Sequence, residues 1–333
     1  MWFNVVAMPQ WYMEGLKYYG YEGYTNARKT WADPDMDKQK DLTGKHYVVT
    51  GSNAGLGYAI AEELAARKAT VHMVCRNAQR ANEARDKIVE AAKTKGVENP
   101  DVHVHLADVG SIESVRAFAE KFKKENKVVH ALINNAGVLL KDETRTPEGI
   151  ETSMAVALGG TYLLTGLMLP LLKSAPKGRV INISSGGQYL VGLDALDLAG
   201  KSRTGASYVG TAAYSYAKRA QVELTKHWAK HPAGKGVIFH SMHPGWAKTP
   251  GVTSSIDDFT KKHSHMMREQ DQGADTAVWL AIADEPAEKN GLFWLDREEI
   301  RTDMRLAFTK ASDKDREVLW QQCEKLFGWK ANE

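Results

Sequence analysis

Short apolar runs alternate along most of the chain with longer segments of helical periodicity. Several of these runs are apolar at nearly every position, which is typical of strands that are buried on both faces. Strands of this kind, separated by helices, form a parallel sheet that is covered on both sides. The predicted strands are 45–50, 70–75, 102–108, 129–133, 179–183, 237–242 and 291–295.

The alternation continues from residue 42 to residue 300 without a linker or an internal repeat. We therefore predict an α/β fold, with a single Rossmann-type doubly wound domain (42–300) and a seven-stranded parallel sheet. An aromatic-rich extension (1–41) precedes this domain, and a tail (301–333) with an amphipathic helix over 313–329 follows it. The predicted helices of the domain include 58–68, 111–124, 148–173, 213–230 and 272–283.

Composition and charge exclude several classes of protein. Of the 333 residues 43% are hydrophobic and 26% charged, and the net charge of +3 is spread out, so no nucleic-acid partner is predicted. Cys75 and Cys323 match no metal or redox spacing and suit a reducing compartment. His103 and His105 share one face of an edge strand, and no metal site is predicted. Without a long apolar run or a secretion signal, the chain is expected to be cytoplasmic.

A glycine-rich turn joins the first predicted strand to an alanine-rich helix. Residues 51–57 read Gly-Ser-Asn-Ala-Gly-Leu-Gly. Glycines let the backbone turn tightly and approach a pyrophosphate, whose charge then meets the helix N-terminus. No Gly-Lys-Ser/Thr follows, so a P-loop is excluded. The turn predicts a dinucleotide site.

The end of the second predicted strand indicates which dinucleotide binds. Arg76 stands there, beside Cys75 and Asn77, and no carboxylate is present. Sites for NAD usually place Asp or Glu at this point, whereas an Arg pairs with a 2′-phosphate through a charge-assisted fork. The cofactor is predicted to be NADP(H) in preference to NAD(H).

Tyr214 and Lys218 lie one helical turn apart and therefore share a helix face. An ammonium beside a phenol favours the phenolate and lowers a pKa that starts near ~10. A phenol with a lowered pKa is a usable acid/base near neutral pH, which carbonyl reduction and alcohol oxidation both require. Tyr216 lacks such a lysine partner and is interpreted as a packing residue.

Motifs that follow the fourth, fifth and sixth predicted strands complete a recognisable order. Asn134-Asn135-Ala136-Gly137 follows the fourth strand, Ser184-Ser185 the fifth, and Pro244-Gly245 with Thr249 the sixth. Together with the glycine turn and the Tyr214–Lys218 pair, they make the chain resemble the short-chain dehydrogenase/reductase superfamily across residues 42–300. The run 243–251 and the aromatic extension resemble one branch of that superfamily in particular.

This resemblance implies a role for each matching residue. Tyr214 would be the acid/base, Lys218 would bind the nicotinamide ribose and depress the pKa of Tyr214, and Ser185 would hydrogen-bond the substrate oxygen. These three are the predicted catalytic residues. The predicted cofactor-binding residues are Gly51, Ser52, Asn53, Gly55, Leu56, Gly57, Arg76, Asp108, Val109, Asn135, Ala136, Gly137, Tyr214, Lys218, Pro244, Gly245 and Thr249.

Two departures from the family pattern bear on function. Alignment places Ala157 where the family has an Asn that anchors a proton relay to the lysine, and alanine has no side-chain donor or acceptor. The segment between Ser185 and Tyr214 is also longer than usual, and an insertion over 186–211 is expected at the mouth of the site as a lid or substrate wall.

Three functions are compatible with these patterns. The first is an NADP(H)-dependent oxidoreductase that interconverts a carbonyl and an alcohol on a moderately apolar small molecule. The second is an NADP(H)-binding sensor or scaffold with little turnover, which only Ala157 favours. The third, epimerase or dehydratase chemistry on a nucleotide sugar, ranks last because too few residues follow the last strand for a substrate domain. The apolar residues expected to face the substrate are Tyr189, Leu190, Val191, Trp246, Met266 and Met267.

The extension and the helices allow two partner hypotheses. Residues 1–31 could touch a membrane surface peripherally, or could wrap the chain's own domain and bury their rings there. Pro9 and three glycines interrupt any long amphipathic helix, which favours wrapping. The resemblance implies a homodimer through the helices that carry Ala157 and Tyr214. The aromatic residues of the extension are Trp2, Phe3, Trp11, Tyr12, Tyr18, Tyr19, Tyr21, Tyr24 and Trp31.

Overall fold

The computed structural model describes residues 8–36, 40–251, 257–304 and 307–331. Its centre is one eight-stranded sheet with the order β3-β2-β1-β4-β5-β6-β7-β8. Adjacent strands are parallel except for β7 and β8, which pair antiparallel. The strands are β1 His46–Thr50, β2 Thr70–Cys75, β3 Val102–Leu106, β4 Ala131–Asn134, β5 Arg179–Ile183, β6 Ile238–Met242, β7 Leu292–Leu295 and β8 Glu298–Glu299.

The predicted α/β fold is confirmed, with one correction to the strand number. All seven predicted strands are present and parallel to one another. The additional strand, β8, has only two residues and both are exposed, so it carries no apolar run that a sequence pattern could reveal. It pairs with β7 after a tight turn in which Asp296 and Arg297 have positive φ angles of 51° and 61°.

Helices cover both faces of the sheet. On one face, α3 and α4 join α10 over a core that includes Ile60, Leu64, Ile88 and Trp279. On the other, α5 to α8 and α11 bury a core around Phe122, Tyr162 and Trp228. The helices are α1 Met8–Glu14, α2 Tyr21–Arg28, α3 Gly55–Ala66, α4 Ala78–Thr94, α5 Ile112–Glu125, α6 Thr152–Leu158, α7 Thr165–Lys173, α8 Gly210–Lys230, α9 Asp257–His263, α10 Gln270–Ile282 and α11 Asp313–Phe327.

The long helical stretch expected over 148–173 is interrupted by a π-helical turn. This turn, Gly159–Leu164, lies between α6 and α7. A Cβ added at Gly159 would lie 1.8 Å from the carbonyl oxygen of Val109, so only glycine allows the helix to come this close to the end of β3. By length and composition alone, the segment Thr152–Lys173 could cross a membrane. However, 89% of its apolar 18-residue window is buried within the fold.

The N-terminal extension wraps its own domain. Its two helices, with a π-helical turn Gly15–Tyr19 between them, pack against the loop that follows β6. A Cβ added at Gly15 would lie 2.3 Å from the Trp246 ring, which shows how closely the extension fits. Tyr19 is 3% exposed and meets Trp246 edge to face, with ring centroids 5.9 Å apart. Trp2 and Phe3 lie outside the described residues.

The expected insertion over 186–211 forms an ordered wall beside α6. It consists of two 3₁₀ turns, Gly186–Leu190 and Gly205–Ser207, joined by irregular backbone. Arg145 holds this backbone by donating to the carbonyl oxygens of Ala199 (2.9 Å) and Gly200 (2.8 Å). Arg203 closes the loop through Asp194 at 2.6 Å. These charge-assisted bonds fix the loop in one position.

Candidate active site

A cavity of about 580 Å³ opens at the carboxyl ends of the central strands. It lies where the strand order reverses between β1 and β4, the place at which doubly wound sheets bind their ligands. Of the residues predicted to form the site, most line this cavity. They are Gly51, Asn53, Gly55, Leu56, Arg76, Asp108, Val109, Asn135, Ala136, Gly137, Ser185, Tyr214, Lys218, Pro244, Gly245 and Thr249.

The glycine turn has the geometry that a pyrophosphate requires. Gly51 and Gly55 have backbone φ angles of +65° and +61°, which residues with a side chain rarely adopt. The N-cap residue Ala54 makes no side-chain cap, and Gly55 and Leu56 in the first turn of α3 line the cavity. A phosphate would receive the N–H donors of that first turn together with the positive end of the helix dipole.

Asn135 stabilises this turn from the end of β4, the strand that lies beside β1 in the sheet. Its side-chain Nδ2 donates to the carbonyl oxygens of Thr50 (2.8 Å) and Gly51 (3.2 Å). A Cβ added at Gly57 would lie only 2.4 Å from the same nitrogen, so the third glycine makes room for the amide. Gly57 therefore shapes the turn and is not among the residues that line the cavity, and its contact with a cofactor stays a prediction.

Ser52 also lies outside the lining of the cavity, and its cofactor contact stays a prediction. Its side chain is fully buried, and its hydroxyl donates to the Val49 carbonyl oxygen at 3.1 Å and lies 3.5 Å from Cys75 Sγ. Ser52 therefore joins the turn to β1 and β2 and does not face the cavity.

The nucleotide end of the cavity is basic after β2. Arg76 and Arg80 both line it and are exposed, and Asn77 caps α4 by accepting from the Arg80 N–H at 2.9 Å. On the opposite side, Asp108 accepts from the Gly110 N–H at 2.9 Å and thereby shapes the turn after β3. An anionic group beside the end of β2 would meet two guanidinium groups.

The three predicted catalytic residues meet in the same cavity. Ser185 follows β5, and Tyr214 and Lys218 lie one turn apart on α8. Ser185 lies close enough to the Tyr214 hydroxyl to lower the pKa of the phenol. The Lys218 Nζ lies 5.4 Å from the centre of the Tyr214 ring. The structure thus brings these residues together, and their roles in a reaction remain predictions.

The pKa values of this pair differ from the sequence expectation. Burial raises the pKa of Tyr214 to about 12, and Ser185 opposes that rise. Burial lowers the pKa of Lys218 to about 7. The causes that shift the pKa of the phenol are burial and Ser185, whereas the sequence predicted that Lys218 would lower it. The Lys218 ammonium donates to the Ile183 carbonyl oxygen at 2.7 Å and to Gln221 Oε1 at 2.8 Å.

The substrate side of the cavity is lined mainly by apolar groups. Of the residues predicted to face the substrate, Leu190, Trp246 and Met267 line the cavity. Tyr189, Val191 and Met266 do not line the cavity. The Tyr189 side chain is instead buried, at 2% exposed, and its hydroxyl donates to the Arg301 carbonyl oxygen at 2.6 Å. The sequence did not reveal Met8, Trp11 and Phe259, which come from the extension and from α9.

His243 is a strongly polar group in this apolar part of the cavity, and the sequence predicted no role for it. The ring is 2% exposed, and neither ring nitrogen has a hydrogen-bond partner within the described residues. Burial, assisted by the charge of Arg268, lowers the pKa of His243 to about 3, so the ring is neutral at physiological pH. Its position directly before Pro244 was the only available signal.

The described residues contain no group of three or more His, Cys, Asp or Glu side chains that could hold a metal ion.

Rossmann-type oxidoreductases that use a nicotinamide dinucleotide share this combination of a glycine turn with a Ser–Tyr–Lys set. Comparison with known proteins narrows the class. A family profile described as short chain dehydrogenase matches residues 45–193. Human dehydrogenase/reductase SDR family member 12 is 37% identical over 318 residues, which cover 95% of this chain and 96% of that protein. The chain belongs to the short-chain dehydrogenase/reductase family, and the resemblance to the family member 12 branch is confirmed.

Two further proteins are similar to this chain over most of its length. Mouse retinol dehydrogenase 12 is 33% identical over 302 residues, covering 90% of this chain and 92% of that protein. A crystal structure of a protein from Mycobacterium paratuberculosis is 26% identical, with a TM-score of 0.68 over 88% of this chain and 97% of that one. The family and these relatives identify a dehydrogenase or reductase that acts on small molecules with the aid of NAD or NADP.

Proposed function

We propose that this protein is an NADP(H)-dependent oxidoreductase that interconverts a carbonyl and an alcohol on a moderately apolar small molecule. The observation that carries the proposal is the meeting of Tyr214, Ser185 and Lys218 in one cavity with the glycine turn. When bound, the nicotinamide nucleotide supplies or accepts the hydride, and this chain supplies position, a proton and hydrogen bonds.

Each side chain has a defined task in this proposal. In the reducing direction the Tyr214 hydroxyl gives its proton to the carbonyl oxygen, and in the oxidising direction it takes that proton back. Ser185 donates a hydrogen bond to the same oxygen, where negative charge develops. Lys218 provides positive charge at the floor of the cavity, where a Cβ on Gly137 would lie 3.2 Å from its Nζ. Proton transfer of this kind contributes about 10²–10⁴-fold to a rate.

Cofactor preference rests on Arg76. The test is titration of the wild type and Arg76→Glu with NADPH and NADH, followed by nucleotide fluorescence. We expect tight NADPH binding by the wild type and loss of the preference in the variant, because the carboxylate repels a 2′-phosphate. Arg85→Glu is the matched control, since Arg85 is a partly exposed arginine on α4, the helix that follows Arg76, and does not line the cavity. Equal affinity of the wild type for both nucleotides contradicts the assignment.

The substrate class follows from the apolar walls and His243. Trp11, Trp246 and Met267 suit a hydrophobic body, and the neutral imidazole can hydrogen-bond a polar group on it. Because one relative is named a retinol dehydrogenase, apolar alcohols and aldehydes form the first panel for a turnover screen. Tyr214→Phe is the expected inactive variant, and Tyr216→Phe is its control. Tyr216 packs through its ring, whose centre lies 4.2 Å from Arg203 Cζ, and phenylalanine keeps that ring.

The second candidate is an NADP(H) sensor or scaffold with little turnover, which Ala157 favours. The same two assays separate it from the first candidate. Tight NADPH binding by the wild type without turnover of any alcohol or carbonyl in the panel supports the sensor. Turnover that is lost in Tyr214→Phe and kept in Tyr216→Phe supports the enzyme.

We further propose that the protein is cytoplasmic and contacts membranes peripherally through residues 1–31. The described part of this segment exposes Met8, Met13, Tyr18 and Tyr21, while its other rings pack inward. Co-sedimentation with phosphatidylserine-containing vesicles tests the contact. Loss of binding in Met13→Glu/Tyr21→Glu supports it, and absence of wild-type binding rejects it.

A further inference from the structure

Gln221 is the partner that the buried Lys218 ammonium finds on its own helix. The two residues are three positions apart on α8, so their side chains lie on the same face. Lys218 is 3% and Gln221 1% exposed, and Nζ and Oε1 are 2.8 Å apart. Within the described residues, the ammonium has one further acceptor, the Ile183 carbonyl oxygen at 2.7 Å.

The orientation of the Gln221 amide is fixed by chemistry. Its Nε2 donates to Thr161 Oγ1 at 2.9 Å and to the Ala157 carbonyl oxygen at 3.4 Å. A carbonyl oxygen can only accept, and an ammonium can only donate. The amide must therefore direct its nitrogen to α6 and its oxygen to Lys218, and the reverse orientation would leave both contacts unfavourable.

The contact on α6 is made at the departure from the family pattern. Alignment gives Ala157 in place of an Asn, and the alanine side chain can make no hydrogen bond. Its backbone carbonyl is nevertheless joined to the lysine, through the amide of Gln221. The π-helical turn that carries Thr161 begins two residues later, and such turns often accompany functional sites.

Further hydrogen bonds hold the backbone of α8 at this point. Thr225 Oγ1 donates to the Gln221 carbonyl oxygen at 2.7 Å and accepts from Asn182 Nδ2 at 2.9 Å. Asn182 in turn accepts from Asn134 at 2.8 Å. Gln221 is thus anchored at its side chain by α6 and at its backbone by β4 and β5.

We propose that Gln221 is a positioning residue for the proposed oxidoreductase reaction, and that its amide holds the Lys218 ammonium in place of the missing asparagine. The inference rests on the proposed function. An acceptor dipole beside the ammonium favours the charged form of Lys218 against the effect of burial. Without it, the lysine loses its proton at lower pH and is free to leave the floor of the cavity.

Two variants of Gln221 change this contact in opposite directions. Gln221→Met keeps the length and removes the acceptor, so the pKa of Lys218 falls. Gln221→Glu replaces the amide oxygen with a carboxylate, so the pKa of Lys218 rises. Thr225→Val is the matched control, because it breaks the neighbouring hydrogen bonds of α8 without touching the Lys218 ammonium.

The test is the pH dependence of NADPH affinity between pH 6 and pH 9, with thermal unfolding as a check on the fold. We expect the alkaline loss of affinity to move by about one pH unit to lower pH in Gln221→Met and to higher pH in Gln221→Glu. Where a substrate is in hand, kcat of Gln221→Met should fall about ten- to hundred-fold, since the lysine is misplaced.

The outcomes distinguish this inference from the proposed function. Failure of the wild type to bind either nucleotide overturns the proposed function and the inference with it. Nucleotide binding with the same pH profile in all four proteins overturns the role of Gln221 alone. A shift in Thr225→Val equal to that in Gln221→Met assigns the effect to the packing of α8, and also overturns that role.

Discussion

Trp11 Nε1 donates a hydrogen bond to the Gly186 carbonyl oxygen at 2.9 Å, across 175 positions of the chain. Gly186 directly follows Ser185, so the bond ties the N-terminal extension to the wall of the cavity. A Cβ added at Gly186 would lie 2.9 Å from His243 Nε2 and 3.3 Å from Trp11 Nε1. Three segments remote in sequence thus meet at one glycine.

We expect Trp11→Ala to weaken substrate binding and leave nucleotide binding unchanged. The ring lines the apolar end of the cavity, away from the glycine turn, and its removal also breaks the bond to Gly186. KM should rise about ten-fold or more, since a lost apolar contact in a pocket is worth about 1–3 kcal/mol. Met13→Ala on the same helix is the control, because Met13 is 64% exposed. An unchanged KM in Trp11→Ala contradicts the role.

The strands and most of the site were within reach of sequence reasoning, because their signals are local. A buried parallel strand is an apolar run, and the glycine turn and the Tyr214–Lys218 spacing each lie within a few residues. The helix α4 gave a weaker signal, since three of its four buried residues are the alanines Ala81, Ala84 and Ala92.

The remaining site residues depend on contacts that no local pattern encodes. Trp11 lies in a segment without a regular period, and only the folded chain brings it to Gly186. The local sequence does not single out Gln221, because its proposed role depends on the Lys218 ammonium and the Ala157 carbonyl oxygen, which contact opposite ends of its amide. The direction of the Tyr214 pKa depended on burial, which spacing alone does not give.

The buried ion pair of Arg268 and Asp296 should determine how firmly the extension is held. Arg268 binds Asp296 at 2.6 Å and also donates to the backbone oxygens of Tyr18 (3.1 Å) and Gly20 (3.2 Å). Asp296→Asn leaves a buried guanidinium without its counter-charge, and we expect a loss of about 3 kcal/mol in the free energy of unfolding.

Urea unfolding and limited proteolysis of residues 8–28 measure this effect. Asparagine suits the positive φ of 51° at this position, so the loss reports the charge and not the backbone. Glu288→Gln is the control, because the Lys177–Glu288 pair is 52% and 72% exposed and its loss should not be measurable. Stability and protease resistance equal to the wild type in Asp296→Asn would rule out the anchoring role.

A chain of histidines should make the fold sensitive to acid. His72 bonds His46 at 3.1 Å and His105 at 3.0 Å, on the face of β1 to β3 that packs against Phe122. Burial lowers the pKa of His72 to about 3 from 6.5 and that of His105 to about 4. The unfolded chain therefore binds protons in a pH range in which these rings stay neutral in the folded chain. The free energy of unfolding falls as pH drops below 6.5.

Between pH 7.5 and pH 5.0 His72 alone should cost about 2 kcal/mol of unfolding free energy. His72→Phe should reduce the dependence of unfolding free energy on pH in this window, whatever it does to stability at pH 7.5. His265→Asn is the control, because His265 is exposed in the loop after α9. A slope in His72→Phe that matches the wild type would show that these rings do not govern the acid response.

The C-terminal helix α11 packs against α8 and the π-helical turn that follows α6, next to the helices α6 and α8 through which a homodimer was expected. Trp329, just after this helix, fits against Gly166, where an added Cβ would lie 2.6 Å from its ring. Tyr162 donates to the Trp329 carbonyl oxygen at 2.8 Å, and Arg116 donates to the Gly328 carbonyl oxygen at 2.6 Å. We therefore expect the protein to keep this face of α8 within one chain, and any homodimer to use another.

Trp329→Ala tests this arrangement by opening a cavity under the end of α11. Because the indole is 6% exposed, its removal should cost about 3 kcal/mol or more and expose the apolar face around Tyr162. Light scattering after gel filtration should then show self-association that the wild type lacks at the same concentration, whereas the exposed Lys330→Ala should behave as the wild type. A wild-type dimer that Trp329→Ala dissociates would mean that the Trp329 face is itself the dimer interface.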